Sequence, residues 1–176
     1  MDHEDALDGE SDPDASISDG GPGHDGFVAD QQWTVVVRNV PIVSVDLVVR
    51  SGDGVVLGKR TNEPAKGEWF VPGGRVRKNE RLDDAVHRVA RDELGVEVTV
   101  DRKLGVYEHF WDVADVDGVD GKHYVPVGYV VTPESETFRV DDQHDELRRF
   151  EPPFETVDLH PYVQTYLEDA DVLASL

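Results

Sequence analysis

The chain has no cysteine, so disulfides, thiol nucleophiles and zinc sites built on thiolates are excluded. Basic residues are scarce as well. Seventeen Lys and Arg face 38 Asp and Glu, for a formal net charge of −21, a balance that argues against nucleic acid or an anionic membrane as partner. Long hydrophobic runs are missing too: the apolar stretches are strand-sized, far short of the ~20 residues that span a bilayer. The N-terminus lacks the basic and apolar regions of a signal peptide. These absences point to a soluble, cytoplasmic protein, and 176 residues suit one domain with a proper core.

The acids fall unevenly. Nine lie within residues 1–26, which hold no Lys or Arg, leaving 29 acids against 17 bases and a charge of −12 for the rest. Residues 1–26, rich in Asp, Gly and Ser, cannot bury enough apolar surface to offset the entropy of ordering and are read as a disordered acidic tail. Because the excess extends beyond the tail and Lys is rarer than Arg, the composition is read as adaptation to molar salt. At about 1 M the screening length is only ~3 Å, and self-repulsion largely vanishes.

Order is expected from about Trp33. The segment WTVVVR reads as a strand, and Pro41 parts it from a second apolar run, IVSVDLVV at 42–49. SGDG at 51–54 is a turn into VVLGKR, together a β-hairpin. A loop, TNEPAKG, leads to the short strand EWFVP and a glycine pair read as a loop, Gly73-Gly74. Leu82, Ala85, Val86, Val89 and Ala90 recur at helical spacing, which predicts an amphipathic helix over 80–94 that stops at Gly95. Further strands are expected near 104–111 and 123–132, parted by the acidic loop DVADVDGVDGK, read as a solvated connector. A short strand, LRRF, follows DDQHDE, and Pro161 suits the first position of a last helix.

The helix carries an anomaly. Its apolar stripe projects the next inward position onto Glu93, and a carboxylate there needs a partner because an unpaired buried charge is very costly. A hard cation such as Mg²⁺ is one candidate; a pairing with Arg88, or an exposed position at the helix end, is the other.

The stretch from Gly73 to Val96, GGRVRKNERLDDAVHRVARDELGV, resembles the Nudix box, G-x5-E-x7-R-E-U-x-E-E-x-G-U with U aliphatic. Gly74, Glu80, Arg88, Glu93, Gly95 and Val96 match at the required spacing; Val89 and Asp92 replace glutamates. The resemblance implies an α/β Nudix fold over residues 27–176, a mixed β-sheet sandwiched between helices. Several helix carboxylates usually gather two or more metals in such enzymes. With Val89 in place of one of them, a single catalytic Mg²⁺ is expected, with Mn²⁺ able to substitute. Asp92, turned about 100° from Glu93 on a helix, is either a support behind the metal ligands or a surface acid.

The segments GKRTNEPAKGEWFVPGGRV, VYEHFWD, His123-Tyr124 and DDQHDE are similar to the GDP-mannose mannosyl hydrolase branch, which cleaves the C–O bond at the anomeric carbon with inversion and tolerates the missing glutamate. The resemblance implies a GDP-sugar substrate, a homodimer, and a set of roles. His144 matches the general base, and an imidazole with a reference pKa of ~6.5 can take a proton from water near neutrality. Gln143, the Gly73 carbonyl and Glu93 match metal ligands. Arg60 and Arg75 match arginines gripping the diphosphate, and Tyr124 a hydroxyl donor to it. Asp46, which interrupts an aliphatic strand and so requires a polar partner, and His109 match sugar contacts. Trp33 is a candidate either for stacking on guanine or for the aromatic core. Trp111 or Phe110 is either pocket wall or aromatic core. Arg88 is expected to orient Glu93, and Glu80 to hold the turn into the helix. Two other functions remain open: a diphosphatase attacking phosphorus, and a sensor that binds a nucleotide sugar without turnover.

Overall fold

The computed structural model describes residues 28, 30–139, 144–154 and 157–172, with backbone alone at 30, 31 and 144. The expected acidic tail at 1–26 and Gln143 lie outside the described residues. The chain runs α1 (Asp30–Asn39), β1 (Ile42–Ser51), β2 (Gly54–Arg60), β3 (Trp69–Phe70), β4 (Gly73–Arg75), α2 (Leu82–Val89) with a π-helical turn at Ala90–Leu94, β5 (Val98–Val106), β6 (His109–Trp111), β7 (Lys122–Pro133), β8 (His144–Phe150) and α3 (Pro161–Asp169).

One sheet organises it. The main path is β3-β2-β1-β7-β5, with β4 on β1, β6 on β7 and β8 on β2. β1 and β7 are parallel, from Ile42 opposite Tyr124 to Val49 opposite Val131; the other pairings are antiparallel, so the expected mixed sheet is present. Alternation along β1 divides the core in two. Val45, Leu47 and Val49 pack against Ala85, Val86 and Val89 of α2. Val48 faces the other way, with Val163, Tyr166 and Leu167 of α3. The sheet is sandwiched between helices, and Ser44 and Asp46 share the α3 side with Val48. Among the described residues no helix is long and apolar enough to cross a membrane.

The hairpin at 51–54, α2 with its stop, and α3 from Pro161 stand where the sequence placed them. Gly95 has φ 69° and closes the π turn through its N–H to Arg91 O. Two segments differ. WTVVVR is helical, not extended. β-branched residues favour strands because they pack on a pleated surface, but both edges of β1 are taken, by β7 on one side and by β2 and β4 on the other. The segment coils instead. Trp33 and Val37, one turn apart, face inward, with Val37 buried while Val35 is 58% exposed. Asn39 Nδ2 donates to Val35 O at 2.8 Å and secures the C-terminal turn. The glycine pair is a strand rather than a loop: Gly73 lies opposite Asp46 and Gly74 opposite Val45.

That strand is possible only with glycine. A Cβ on Gly73 would come within 2.6 Å of Asp46 Oδ1, and one on Gly74 within 2.8 Å of Val89 Cγ2. β4 thus wedges between β1 and α2 and brings the box helix onto the sheet edge. At the far end of that helix, Gly95→Ala adds a Cβ 3.2 Å from Arg139 Cβ at a left-handed residue. It should destabilise the protein by about 1–2 kcal/mol, seen as a lower urea midpoint at unchanged m-value.

Candidate active site

A cleft of about 1040 Å³ opens where β4, the π turn and the ends of β1, β6 and β7 meet. Glu93, only 3% exposed, lines it. The Gly73 N–H donates to Glu93 Oε2 at 3.0 Å. Strand geometry explains why that amide is free to do so. Leu47 N bonds Pro72 O and Val76 N bonds Val43 O, so by the antiparallel alternation the intervening Asp46–Gly73 pair is not hydrogen-bonded to β1. The Gly73 N–H and C=O both turn away from β1, toward the side where Glu93 sits.

Behind this edge a cationic clamp sets the turn into α2. Glu80 accepts from Arg88 Nε at 2.6 Å, from Arg88 Nη2 at 2.9 Å and from the Arg77 N–H at 2.8 Å. The Arg88 guanidinium holds the Glu80 carboxyl below its ordinary value, and Glu80 in turn raises Arg88. Arg88 Nη2 also donates to Arg75 O at 2.8 Å. Asp92, with its side chain 53% exposed, lies 3.5 Å from Arg88 Nη1 and 3.9 Å from Arg77 Nη2. Arg88 therefore ties α2 to β4 and to the loop before the helix.

The opposite wall is a buried polar chain. Tyr166 Oη of α3 donates to Asp46 Oδ2 at 2.8 Å and lies 3.3 Å from His109 Nε2; Ser44 Oγ donates to Asp46 Oδ1 at 3.5 Å. Burial pushes the Asp46 carboxyl up to about 6, against the pull of Tyr166 and Arg60. Burial likewise pushes His109 down to about 4, helped by His160, and raises the Tyr166 phenol. At neutral pH the tyrosine proton goes to the Asp46 carboxylate, so the neutral imidazole must donate from Nε2 to Tyr166 Oη. His109 stacks on Tyr162 with ring centroids 3.9 Å apart and planes at 9°.

Cations gather at the mouth. Arg75 and Lys122 lie 4.6 and 5.5 Å from the centroid of the Trp33 ring, so α1 braces both. Burial lowers the Arg75 guanidinium from its ordinary value. Arg60 Nε donates to Pro64 O at 2.8 Å, and Arg60 and Tyr124 both line the cleft. His144 opens β8 opposite Arg60, so the two main chains adjoin in the ladder. Trp111 lines the cleft, whereas Phe110 is 61% exposed and stacked on His123.

A NUDIX domain profile matches residues 40–170. The chain belongs to the Nudix hydrolase family. It is 54% identical over 144 residues, 82% of its length and 91% of the relative's, to the low-salt glycan biosynthesis protein Agl8 of Haloferax volcanii. It is 39% identical over 67 residues to the ADP-ribose pyrophosphatase of Methanocaldococcus jannaschii, a match covering 38% of this chain and 40% of that one. The crystal structure of a MutT NUDIX hydrolase from Burkholderia pseudomallei superposes with a TM-score of 0.58 at 29% identity, over 73% of this chain and 97% of that one.

Nudix hydrolases use divalent metal ions, and the residues of this one fit such an ion. Glu93 is a buried carboxylate on the cleft, and the Gly73 carbonyl leaves β4 on the same side. Val89, 1% exposed and packed on Gly74, fills the place of a second helix carboxylate, while Glu80 is committed to Arg88. Among the described residues no three His, Asp or Glu side chains converge as a metal cluster.

Sequence reasoning missed Tyr166 and Lys122. Tyr166 reads as an aromatic on the apolar face of α3, and periodicity is blind to its hydroxyl. Lys122 carried a usable signal: two residues before Tyr124 on a strand, it must share that residue's face. The loop at 112–121, read as a solvated connector, in fact sends Asp115 to Lys122.

The buried acid makes stability depend on pH. A carboxyl that ionises near 3.8 in the unfolded chain and about 6 in the folded one contributes stability that is full below the lower value and lost as pH rises through the upper. Asp46→Asn, unfolded by urea in EDTA, should gain on the wild type between pH 4 and 6, by about 3 kcal/mol, and level off above. A constant difference from pH 4 to 8 would show that Asp46 does not titrate in that window.

Proposed function

We propose that this Nudix hydrolase cleaves GDP-mannose or a related GDP-hexose to GDP and free sugar, by attack of water at the anomeric carbon with inversion. The observation that carries this reading is the pairing of Glu93 with Val89. Attack at phosphorus by multi-metal chemistry calls for several carboxylates gathered along the helix; here Glu93 is the buried one, Asp92 is turned to solvent beside Arg88, and an aliphatic Val89 packed on Gly74 stands one turn before Glu93. When bound through Glu93, the Gly73 carbonyl and Gln143, a single Mg²⁺ supplies neutralisation of the diphosphate charge.

The chain's own residues do the rest. Arg60 and Arg75 grip the diphosphate with forked donors suited to its oxygens, and the Tyr124 hydroxyl donates to it, so GDP departs without a general acid. His144 takes the proton of the attacking water. Asp46 and His109 hold the sugar, and Tyr166, bonded to the first and within reach of the second, fixes their spacing. The glycan biosynthesis role printed for the 54% identical relative supports a sugar-nucleotide substrate. The acidic body fits work in concentrated salt.

A second reading, cleavage at phosphorus to two monophosphates, is favoured by the partial match to an ADP-ribose pyrophosphatase. Hydrolysis of GDP-mannose in ¹⁸O water separates the two. Label is expected in the free sugar; label confined to phosphate establishes the second reading instead. His144→Gln should lower kcat by about 10²–10⁴ with KM little changed. Glu93→Gln should raise the Mg²⁺ concentration needed for half-maximal rate, and an unchanged metal requirement removes Glu93 from the ligand set.

A further inference from the structure

We infer that Lys122 is a further diphosphate-binding residue, held in the free protein by an internal carboxylate, Asp115, which the substrate's phosphate displaces. The inference rests on the reading that a diphosphate occupies the Arg60–Arg75 side of the cleft, and it holds whichever bond is broken.

Four observations support it. Lys122 lines the cleft together with Arg60, Arg75 and Tyr124. Its Nζ lies 3.4 Å from the Tyr124 hydroxyl, the group proposed to donate to the same diphosphate, and alternation along β7 puts both on one face. Its ammonium is not drawn out to solvent: the side chain is 2% exposed and lies 5.5 Å from the centroid of the Trp33 ring, whose other cation is Arg75. A buried ammonium needs a counter-charge, and Asp115 of the 112–121 loop supplies it.

The ion pair is lopsided, and that decides its role. Lys122 is fixed within β7 and enclosed, whereas the Asp115 side chain is 41% exposed on a loop. The carboxylate can swing into water once a phosphate takes its place beside the ammonium, so the buried charge is never left without a partner; the lysine cannot leave. A phosphate arriving beside Arg75 offers the same ammonium more charge and more acceptor oxygens than Asp115 does. The loop keeps its other tether when Asp115 lets go, because Arg38 Nη2 of α1 donates to Gly118 O at 3.1 Å. Asp115 is thus an occupant of the phosphate position, in competition with substrate.

A purely structural ion pair and a competitor predict opposite signs, so binding of inorganic pyrophosphate with Mg²⁺, measured by calorimetry on protein shown to be folded by circular dichroism, decides between them. Lys122→Met keeps the stem against Trp33 and removes the charge; it should weaken binding 10- to 100-fold. Asp115→Asn should tighten binding, roughly two- to fivefold. In the Lys122→Met background Asp115→Asn should change nothing, because the competition runs through the ammonium. Weakening by both single variants would make the pair structural and overturn the proposal. So would an Asp115→Asn gain that survives without Lys122, which a general field effect produces, or a Lys122→Met variant with wild-type affinity. Should Lys122→Met fail to fold, Asp115→Asn decides alone, with an unchanged or weakened affinity overturning the proposal. Arg75→Gln separates this from the underlying reading: if pyrophosphate binding ignores Arg75 as well as Lys122, the diphosphate is not in this part of the cleft at all.

Discussion

The hydrogen bond from the Gly73 amide to the buried Glu93 carboxylate fixes the sheet edge against the helix that carries the site. It exists because of three local facts that reinforce one another. The alternation of β-ladder bonds leaves the Gly73 peptide groups turned off β1. The absence of side chains on Gly73 and Gly74 lets β4 lie between Asp46 and Val89. The π turn at Ala90–Leu94 then ends the helix with Glu93 and Leu94 buried and Gly95 left-handed. An added methyl on β4 would strike either Asp46 or Val89, so the same two glycines govern the Asp46 wall and the Glu93 wall of the cleft. π turns recur at functional sites because they re-aim one side chain without ending the packing.

The Arg88–Glu80 pair is the scaffold beneath that bond. Glu80 lies one residue before the helix cap and Arg88 two turns later, and their contact bridges the loop, α2 and the Arg75 carbonyl. Both groups are largely enclosed, so each would be costly alone; together they are charge-assisted and geometrically fixed. Arg88 grips the Arg75 carbonyl of β4, whereas the expectation was that it would orient Glu93. The order of Glu93 follows in part from this grip, since it sets the strand whose amide Glu93 accepts.

How much of this was legible follows from what each signal measures. The box spacing reports on a helix and its two ends, and α2, its stop at Gly95 and the inward Glu93 were all readable. The hairpin at 51–54 and the start of α3 follow from turn chemistry and proline, which act locally. WTVVVR failed because its β-branched composition describes a surface to pack on, and the sheet had no vacant edge beside β1 to supply one. The strand character of Gly73–Arg75 was hidden because glycine has poor strand propensity on its own; only the neighbours on either side demand it. Tyr166 was unreadable for a different reason. Its partners Asp46 and His109 lie 120 and 57 residues away in sequence, and no local pattern encodes a contact that the fold alone creates.

The charge distribution gives the cleft its character. A chain with −21 overall repels anions at low salt, and the proposed nucleotide-sugar substrate is an anion. Molar salt shortens the reach of that repulsion to ~3 Å, so the acidic surface ceases to matter to an approaching substrate. The same salt would weaken exposed arginine–phosphate contacts. Here the cations at the mouth are sheltered: Arg75 and Lys122 flank Trp33, Lys122 is 5% exposed, and Arg88 is held against Glu80 and the Arg75 carbonyl. Enclosed charges are screened far less than exposed ones. Salt therefore removes the long-range penalty and spares the short-range attraction. Helix α1, where the sequence suggested a strand, sets the Trp33 indole beside both cations and so helps to shelter them.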